Sequence, residues 1–311
     1  TPNALEGNHV SKCDTSSARF QSEETGLVDG IGTEDEILGK IRELVTYLPS
    51  NCEDTDSYME CTDDLNRVCE DIENCTGDTA IALSRIADNG QFFEVKADYG
   101  KSVAVGFIRL NGATVGAVAN RSESYDVEGK KVWESDGTLS ARGARKAAEF
   151  VKFCDAFEIP VLTLTNVNGF KATVCGEKMM AKSVGALVHA FADATVPKVN
   201  VVIGKAFGTA YTAMNSKAIG ADMVYAWENA EIGMMDADLA AKIMYAGDDA
   251  AALTEKAAEY RELQNSVSSA AARGYVDTII SPADTRKYVI GAFEMLFTKR
   301  EERPSKKHGT V

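Results

Sequence analysis

The sequence predicts an α/β fold of repeated strand–helix turns wound one on another, and three observations carry that prediction. The segments "CDAFEIPVLTLTNVNGF" (154–170) and "ADATVPKVNVVIGKAFG" (192–208) share one order of helix end, proline, buried strand and glycine turn, a repeat of about 38 residues. The segment "SVAVGFIRLNGATVGAVAN" sets two apolar runs about Asn111-Gly112, a strong hairpin signal. Helical patterns then separate the later strands, as stacked strand–helix units require.

Along the chain, residues 1–50 read as an irregular entry and then a helix. Thr33 is its N-cap and Glu36 completes a capping box. Ile37, Ile41, Leu44 and Leu48 recur at helical spacing, and Pro49 ends the run. Residues 51–78 hold ten acidic residues against one Arg, Arg67. They read as a solvated linker with a short helix around Asp63–Asp71. The main domain spans 79–311 and opens with a strand in "QFFEVKADYG", followed by the hairpin and a polar surface excursion over 121–139. Ser140 caps a helix whose apolar face is Phe150, Val151, Cys154 and Phe157. After Pro160 come the strand "VLTLTNV", the turn Asn168-Gly169-Phe170, and a helix with Met180, Val184, Leu187, Val188 and Phe191 on one face. Pro197 precedes the strand "VNVVIG". Two short strands about Asn229 follow, then long helical patterns over Leu239–Arg273 and Asp284–Phe297.

Composition excludes several function classes. The 311 residues are 45% apolar and 26% charged, as in an ordinary soluble domain. No apolar run reaches the roughly 18 residues of a membrane span, so direct membrane insertion is not expected. A net charge of -14 argues against nucleic acid and anionic membrane surfaces as partners. Seven cysteines without a C-x-x-C pair suit reduced thiols and a cytoplasmic setting. The cluster Cys52, Cys61, Cys69 and Cys75 matches no usual zinc spacing, and no metal is expected. No signal peptide is visible, and because the chain opens on Thr1 with its first methionine at Met59 it is expected to begin after a cleavage, a trim or missing upstream sequence.

The stretch "GKAFGTAYTAMNSK" (204–217) places the smallest residues where a strand ends and a helix begins. Such a joint exposes backbone N–H groups without intrahelical partners, and the helix dipole adds positive potential. Donors of this kind stabilise an oxygen that gains negative charge. In this reading the amides of Thr209 and Ala210 form an oxyanion hole, Gly208 provides clearance, and Gly169 with Phe170 lines the same cavity. Tight helix–sheet packing also selects Gly and Ala, so both readings stand on composition. Side-chain catalysts are scarce. His9, His189 and His308 are the only histidines, and His189 sits inside a helical pattern. Asp236 and Asp238 are either an acid–base pair or, for Asp238, a helix cap. No nucleophile elbow, Walker loop or dinucleotide fingerprint occurs.

The run "KAFGTAYTAMNSKAIGADMVYAWENAEIGMM" (205–235) resembles the biotin-dependent acyl-CoA carboxyltransferases. "TKREERPSKKHG" (298–309), "VKFCDAFEIPVLTLTNVNGF", "FADATVPKVNVV" and "LVTYLPSN" fit the same family, in order, from about residue 25 to the end. The resemblance implies two crotonase-like halves, each a spiral of strand–strand–helix turns. Residues 1–50 are then the end of the N-terminal half and 79–311 the C-terminal half. It implies an enzyme that moves a carboxyl group between carboxybiotin and an acyl-CoA, with biotin carried on a biotin carboxyl carrier protein. A biotin nitrogen serves as base, which fits the shortage of histidine. Sites form between an N-half and a C-half of different subunits, so an N-terminal half, on this chain or another, and a homo-oligomer are implied partners. By resemblance Thr209 and Ala210 hold a carbonyl oxygen, that of the biotin ureido group, while Gly169, Phe170, Tyr211, Thr212 and Met214 line the acyl or biotin pocket. Thr209 replaces the usual second glycine, Thr212 a common aspartate, and Asn168 a proline. The α-subunit of a biotin-dependent, sodium-pumping decarboxylase (glutaconyl- or methylmalonyl-CoA type) and a non-catalytic assembly half are the rival readings.

Overall fold

A computed structural model of the chain describes residues 15–52, 57–126 and 128–302. After a single turn, α1 (Ala18–Phe20), the predicted entry helix forms as α2 (Glu34–Tyr47). Its capping box is complete: Thr33 Oγ1 accepts from Glu36 N, and Glu36 reciprocates at Thr33 N. A short helix, α3 (Thr79–Ile86), capped by Asp78, leads into the sheet.

The main sheet comprises β1 (Phe93–Val95), β2 (Val103–Leu110), β3 (Ala113–Asn120), β6 (Val161–Val167), β7 (Lys198–Phe207), β8 (Met223–Trp227) and β10 (Thr278–Ile280) in that spatial order. β9 (Glu231–Gly233) pairs with the far end of β7. β4 (Glu123–Tyr125) and β5 (Lys131–Glu134) form a separate ribbon within the predicted surface excursion. The predicted hairpin is present: β2 and β3 are antiparallel, joined by Asn111 at φ +51° and Gly112 at φ +79°, the left-handed pair that a two-residue turn demands. From β3 to β10 the pairing is parallel.

The repeat seen in the sequence becomes two adjacent parallel strands, with Val161 opposite Lys198 and Val202 opposite Thr165. Each is preceded by a helix, α4 (Ala141–Ala156) and α5 (Val174–Asp193), and these pack on each other. Ser140 caps α4 as its sequence predicts. Both faces of the sheet are covered. Val105, Val118, Val161 and Val202 meet α4 and α5 residues such as Val151 and Leu187 on one side. Ile108, Leu162, Val201 and Trp227 meet α3 and α10 (Thr285–Leu296) on the other. Strands enclosed in this way are apolar throughout rather than alternating.

Three expectations are corrected. No helix forms over 63–71. Arg67 instead bonds Asp63 and the carbonyls of Arg85 and Ala87, and a 3-10 turn follows at Ile72–Cys75. Cys69 and Ile72 are buried, so this part of the acidic segment is packed. Arg286, wholly buried on α10, clasps it through Asp64 O, Ile86 O and Asp88. The long pattern over 239–273 is broken into α7 (Ala237–Met244), α8 (Ala250–Tyr260) and α9 (Val267–Ala272), interrupted by Gly247 at φ +114° and restarted by the caps Asp249 and Ser266. Asp236, not Asp238, is the cap of α7. Among the described residues no helix is long and apolar enough to cross a membrane.

Candidate functional site

Strand β7 carries the segment of interest, and a bulge aims it. Thr165 pairs with Val202 but Val167 with Ala206, so Ile203, Gly204 and Lys205 face the single residue Asn166. Asn166 explains the geometry. Its Oδ1 accepts from Lys205 N at 3.0 Å, its Nδ2 donates to Thr76 O at 3.0 Å, and its own N donates to Asn120 Oδ1 at 3.1 Å. A Cβ at position 204 would lie 2.7 Å from Asn166 Oδ1, so only glycine fits. At this bulge β7 leaves β8, which it pairs through Val199–Val202, and takes β9, which it pairs through Lys205–Phe207.

Helix α6 (Gly208–Ala213) begins immediately after. Gly208 adopts φ +62°, and a Cβ there would meet Met234 O at 3.2 Å, which gives glycine a local reason of its own. The N-cap is Phe207, whose side chain makes no capping bond. An α-helix leaves its first-turn N–H groups without intrahelical partners, and no loop or cap hydrogen bond among the described residues engages Thr209 N or Ala210 N. The Thr209 side chain is exposed while Ala210 is 1% exposed, so the turn sits at the surface with one residue anchored inward. With only six residues, α6 carries a weak dipole, and the positive potential comes mainly from the amides themselves.

The turn after β6 lies alongside. Val167, the last residue of β6, pairs with Ala206, one residue before β7 ends at Phe207. Gly169 has φ +122° and nothing within 4 Å of where a Cβ would stand, and Phe170 packs partly against the core. The register thus places the turn holding Gly169 and Phe170 after the strand next to the one that leads into Gly208, Thr209 and Ala210. Tyr211 is mostly buried. Its hydroxyl has no hydrogen-bond partner among the described residues, and burial pushes its pKa up to about 12. Thr212 is half-buried, with a long 3.5 Å contact to Gly208 O. Met214 is a correction: it is fully buried in the core, with its carbonyl accepting from Thr165 Oγ1 and Asn200 Nδ2, and presents no surface to a ligand.

Asp236 and Asp238 do not form an acid–base pair. Asp236 Oδ1 caps α7, and Oδ2 pairs with Lys205 at 3.3 Å. Burial pushes the Asp236 carboxyl up, but the Lys205 bond and charge and the helix amides outweigh it and hold its pKa below the usual value. A carboxylate held in this way is a weak base. His189 is half-buried on α5, and His9 and His308 lie outside the described residues. Lys299, in the predicted closing segment, bonds Val196 O and Asp222 and so ties the chain end to the sheet, while Arg303, Lys306 and Lys307 lie outside the described residues. Among the described residues no group of three or more His, Cys, Asp or Glu is arranged to hold a metal. Sequence reasoning missed Asn166 and Lys205. A glycine inside a strand pattern, Gly204, is the signal that points to a bulge there.

Comparison with known proteins adds context to this geometry. Residues 2–311 match the family described as "Carboxyl transferase domain". The chain is 37% identical over 320 residues to the methylmalonyl-CoA carboxyltransferase 12S subunit of Propionibacterium freudenreichii subsp. shermanii, covering 98% of this chain and 59% of that protein. It is 38% identical over 293 residues to the propionyl-CoA carboxylase, carboxyltransferase subunit, of Haloferax mediterranei, covering 90% and 55% respectively. It is 35% identical over 320 residues to the methylmalonyl-CoA decarboxylase subunit alpha of Propionigenium modestum, covering 98% and 60%. Among solved structures, a transcarboxylase 12S hexamer with hydrolysed methylmalonyl-coenzyme A superposes with TM-score 0.88 at 36% identity, covering 99% of this chain and 60% of that one. The fold is the crotonase-like spiral of these carboxyltransferases. The chain spans a little over half the length of the relatives it matches.

Proposed function

The chain belongs to the carboxyl transferase domain family, and on that premise we propose that it is the carboxyltransferase component of a biotin-dependent acyl-CoA carboxylase. The observation that carries this reading is the pair of amides, Thr209 N–H and Ala210 N–H, at an exposed strand-to-helix turn, which no loop or cap hydrogen bond among the described residues engages. Carboxyl transfer to or from a thioester builds negative charge on carbonyl oxygens, and preorganised amides are effective stabilisers of such charge.

The residues present fit a ureido carbonyl. The turn after β6 is open at Gly169, where no atom approaches within 4 Å of a Cβ position, and no loop or cap bond among the described residues uses the two donors at the head of α6. Biotin, carried on a partner protein, supplies the mobile carboxyl group. Thr209 and Ala210 would hold its carbonyl oxygen, with Gly169 and Phe170 as the neighbouring wall. The Thr209 side chain, replacing a hydrogen, narrows the approach without removing the amide. Gly208 holds the turn in its left-handed conformation against Met234. The hexamer named for the superposed transcarboxylase supports a homo-oligomer as part of this reading.

The test is to mix the chain with a biotin carrier and malonyl-CoA or propionyl-CoA, with and without a matching N-terminal half. Carboxyl exchange is expected only in the complete mixture, and exchange that is absent there overturns the proposal. The similarity to a methylmalonyl-CoA decarboxylase subunit alpha favours a second reading, in which the carboxyl flows from the thioester onto biotin. Release of labelled CO2 from methylmalonyl-CoA only in the presence of a membrane partner subunit separates the two.

A further inference from the structure

Residues 234–236 link β9 to α7. They leave β9 beside the end of β7, because Gly233 pairs with Phe207, the residue before Gly208. The Met234 carbonyl is what a Cβ on Gly208 would meet, at 3.2 Å. Whatever fixes that carbonyl therefore fixes the back of the turn that leads into the Thr209 and Ala210 amides.

Two ties hold this link. The outer one is the Lys205–Asp236 pair at 3.3 Å, in which both side chains reach solvent. Exposed pairs of this kind contribute little. The inner tie is Asn265, which is wholly buried. Its Nδ2 donates to Met235 O at 3.0 Å. Its Oδ1 accepts no hydrogen bond among the described residues and instead abuts Gly233, where a Cβ would collide with it. One buried side chain thus contacts the residues on both sides of Met234. Asn265 ends a π-helical turn, Arg261–Asn265, that extends α8, and Ser266 next to it bridges to Glu231 of β9 and caps α9. Turns of this kind are rare and occur frequently at functional sites.

We propose that Asn265 is a positioning residue for carboxyl transfer: by gripping Gly233 and Met235 it fixes the Met234 carbonyl, which backs Gly208 and so sets the direction of the Thr209 and Ala210 amides. The assignment rests on the reading of those amides as donors to a carbonyl oxygen. Asn265 acts only through the link. Donors that stabilise developing charge must be held in place before the reaction, and a shift of about 1 Å can cost roughly 100-fold in rate.

The test is Asn265→Asp in the full chain, which keeps the side-chain shape and removes the donor to Met235 O. In the complete mixture kcat is expected to fall roughly 10- to 100-fold, with KM for the acyl-CoA within about twofold of the parent, the pattern of an interaction made only in the transition state. The amide resonances of Thr209 and Ala210 are expected to shift in proton–nitrogen correlation spectra of the chain alone. Thr285→Val is the control. It drops the buried bond from Trp227 Nε1, in the core on the other side of the sheet from α9, and is expected to leave kcat and both resonances unchanged. Should Asn265→Asp fail to fold, Asn265→Ala serves in its place, because it loses the same bond without burying a charge. Resonances that stay in place overturn the proposal. So does a kcat equal to the parent's, or a Thr285→Val variant slowed as much. If the parent itself shows no exchange in the complete mixture, the carboxyltransferase reading fails, while the two resonances still decide whether Asn265 holds the turn.

Discussion

The ends of β6 and β7 occupy equivalent places in adjacent repeats, yet one closes on itself and the other stays open. After β6 the chain folds back against residues 137–139. Asn168 N donates to Gly137 O, Leu139 N to Gly169 O, and Lys171 N to Leu139 O. Three residues, 171–173, separate Phe170 from the start of α5 at Val174, and Thr173 caps that helix by accepting from Gly176 N. The end of β7 is instead paired by β9, no side chain caps α6, and no loop or cap hydrogen bond among the described residues engages Thr209 N or Ala210 N. Both turns contain a glycine at positive φ. The difference lies in where the polar backbone groups go, and a glycine turn alone does not make an oxyanion site.

The largest test of this contrast is Ala210→Pro. Proline deletes this amide, which lies in the first turn and has no intrahelical partner, and because Ala210 is buried as the third residue of α6 the test counts only if the variant stays folded. Carboxyl exchange in the complete mixture is expected to fall by roughly 10²–10³-fold, as for loss of one oxyanion donor, with circular dichroism unchanged. A variant as fast as the parent removes the amides from the mechanism.

Next is Asn166→Ala, which leaves Lys205 N without its acceptor and frees the bulge that aims β7. Urea unfolding is expected to show a loss of about 1–3 kcal/mol, the cost of a buried group left unpaired, together with slower exchange. If exchange is untouched, the bulge does not position the turn.

The two glycines sharpen the comparison directly. Gly169→Ala and Gly208→Ala each place a side chain in a strained conformation at a cost of about 1–3 kcal/mol. The second is expected to cost more, because its Cβ also meets Met234 O at 3.2 Å whereas Gly169 faces open space. Thermal melts that reverse this order contradict the described packing.

The smallest effect concerns pH. The Asp236 carboxyl, pushed up by burial but drawn lower overall by Lys205 and the α7 amides, has a folded pKa below its usual 3.8. Its ionised form therefore stabilises the fold at pH values above that figure, and the contribution is lost as pH falls through the folded pKa. Asp236→Asn is expected to lower stability at about pH 6 and to match the parent near pH 2. Urea unfolding at both values checks it, and a gap that widens on acidification refutes the assignment.

Much of this was legible locally. The Thr33–Glu36 box, the Asn111-Gly112 turn and the Ser140 cap are each specified by residues a few positions apart, and all three form as read. The repeat of helix end, proline, strand and turn also survives, because both copies answer to the same demand for a strand enclosed on two faces. Helix α3 went unread, since its eight residues carry too short a periodic signal. The break of the 239–273 pattern was hidden because Ala-rich stretches satisfy helical spacing continuously, while Gly247, Asp249 and Ser266 divide them. The acidic segment read as solvated because charge counts carry no information about partners. Asp63 and Asp88 are in fact neutralised by Arg67 and by Arg286, which is 198 residues beyond Asp88.

The sequence by itself determined the α/β class, the strand-to-turn repeats and the place where small residues meet a helix start, because each depends on neighbours along the chain. Only the tertiary structure decided which of two similar turns is paired with residues 137–139, that Met214 belongs to the core, and that the Lys146 ammonium is buried against Tyr99 O. Those outcomes rest on hydrogen-bond acceptors and packing atoms contributed by distant segments, and no local pattern records whether such a partner arrives.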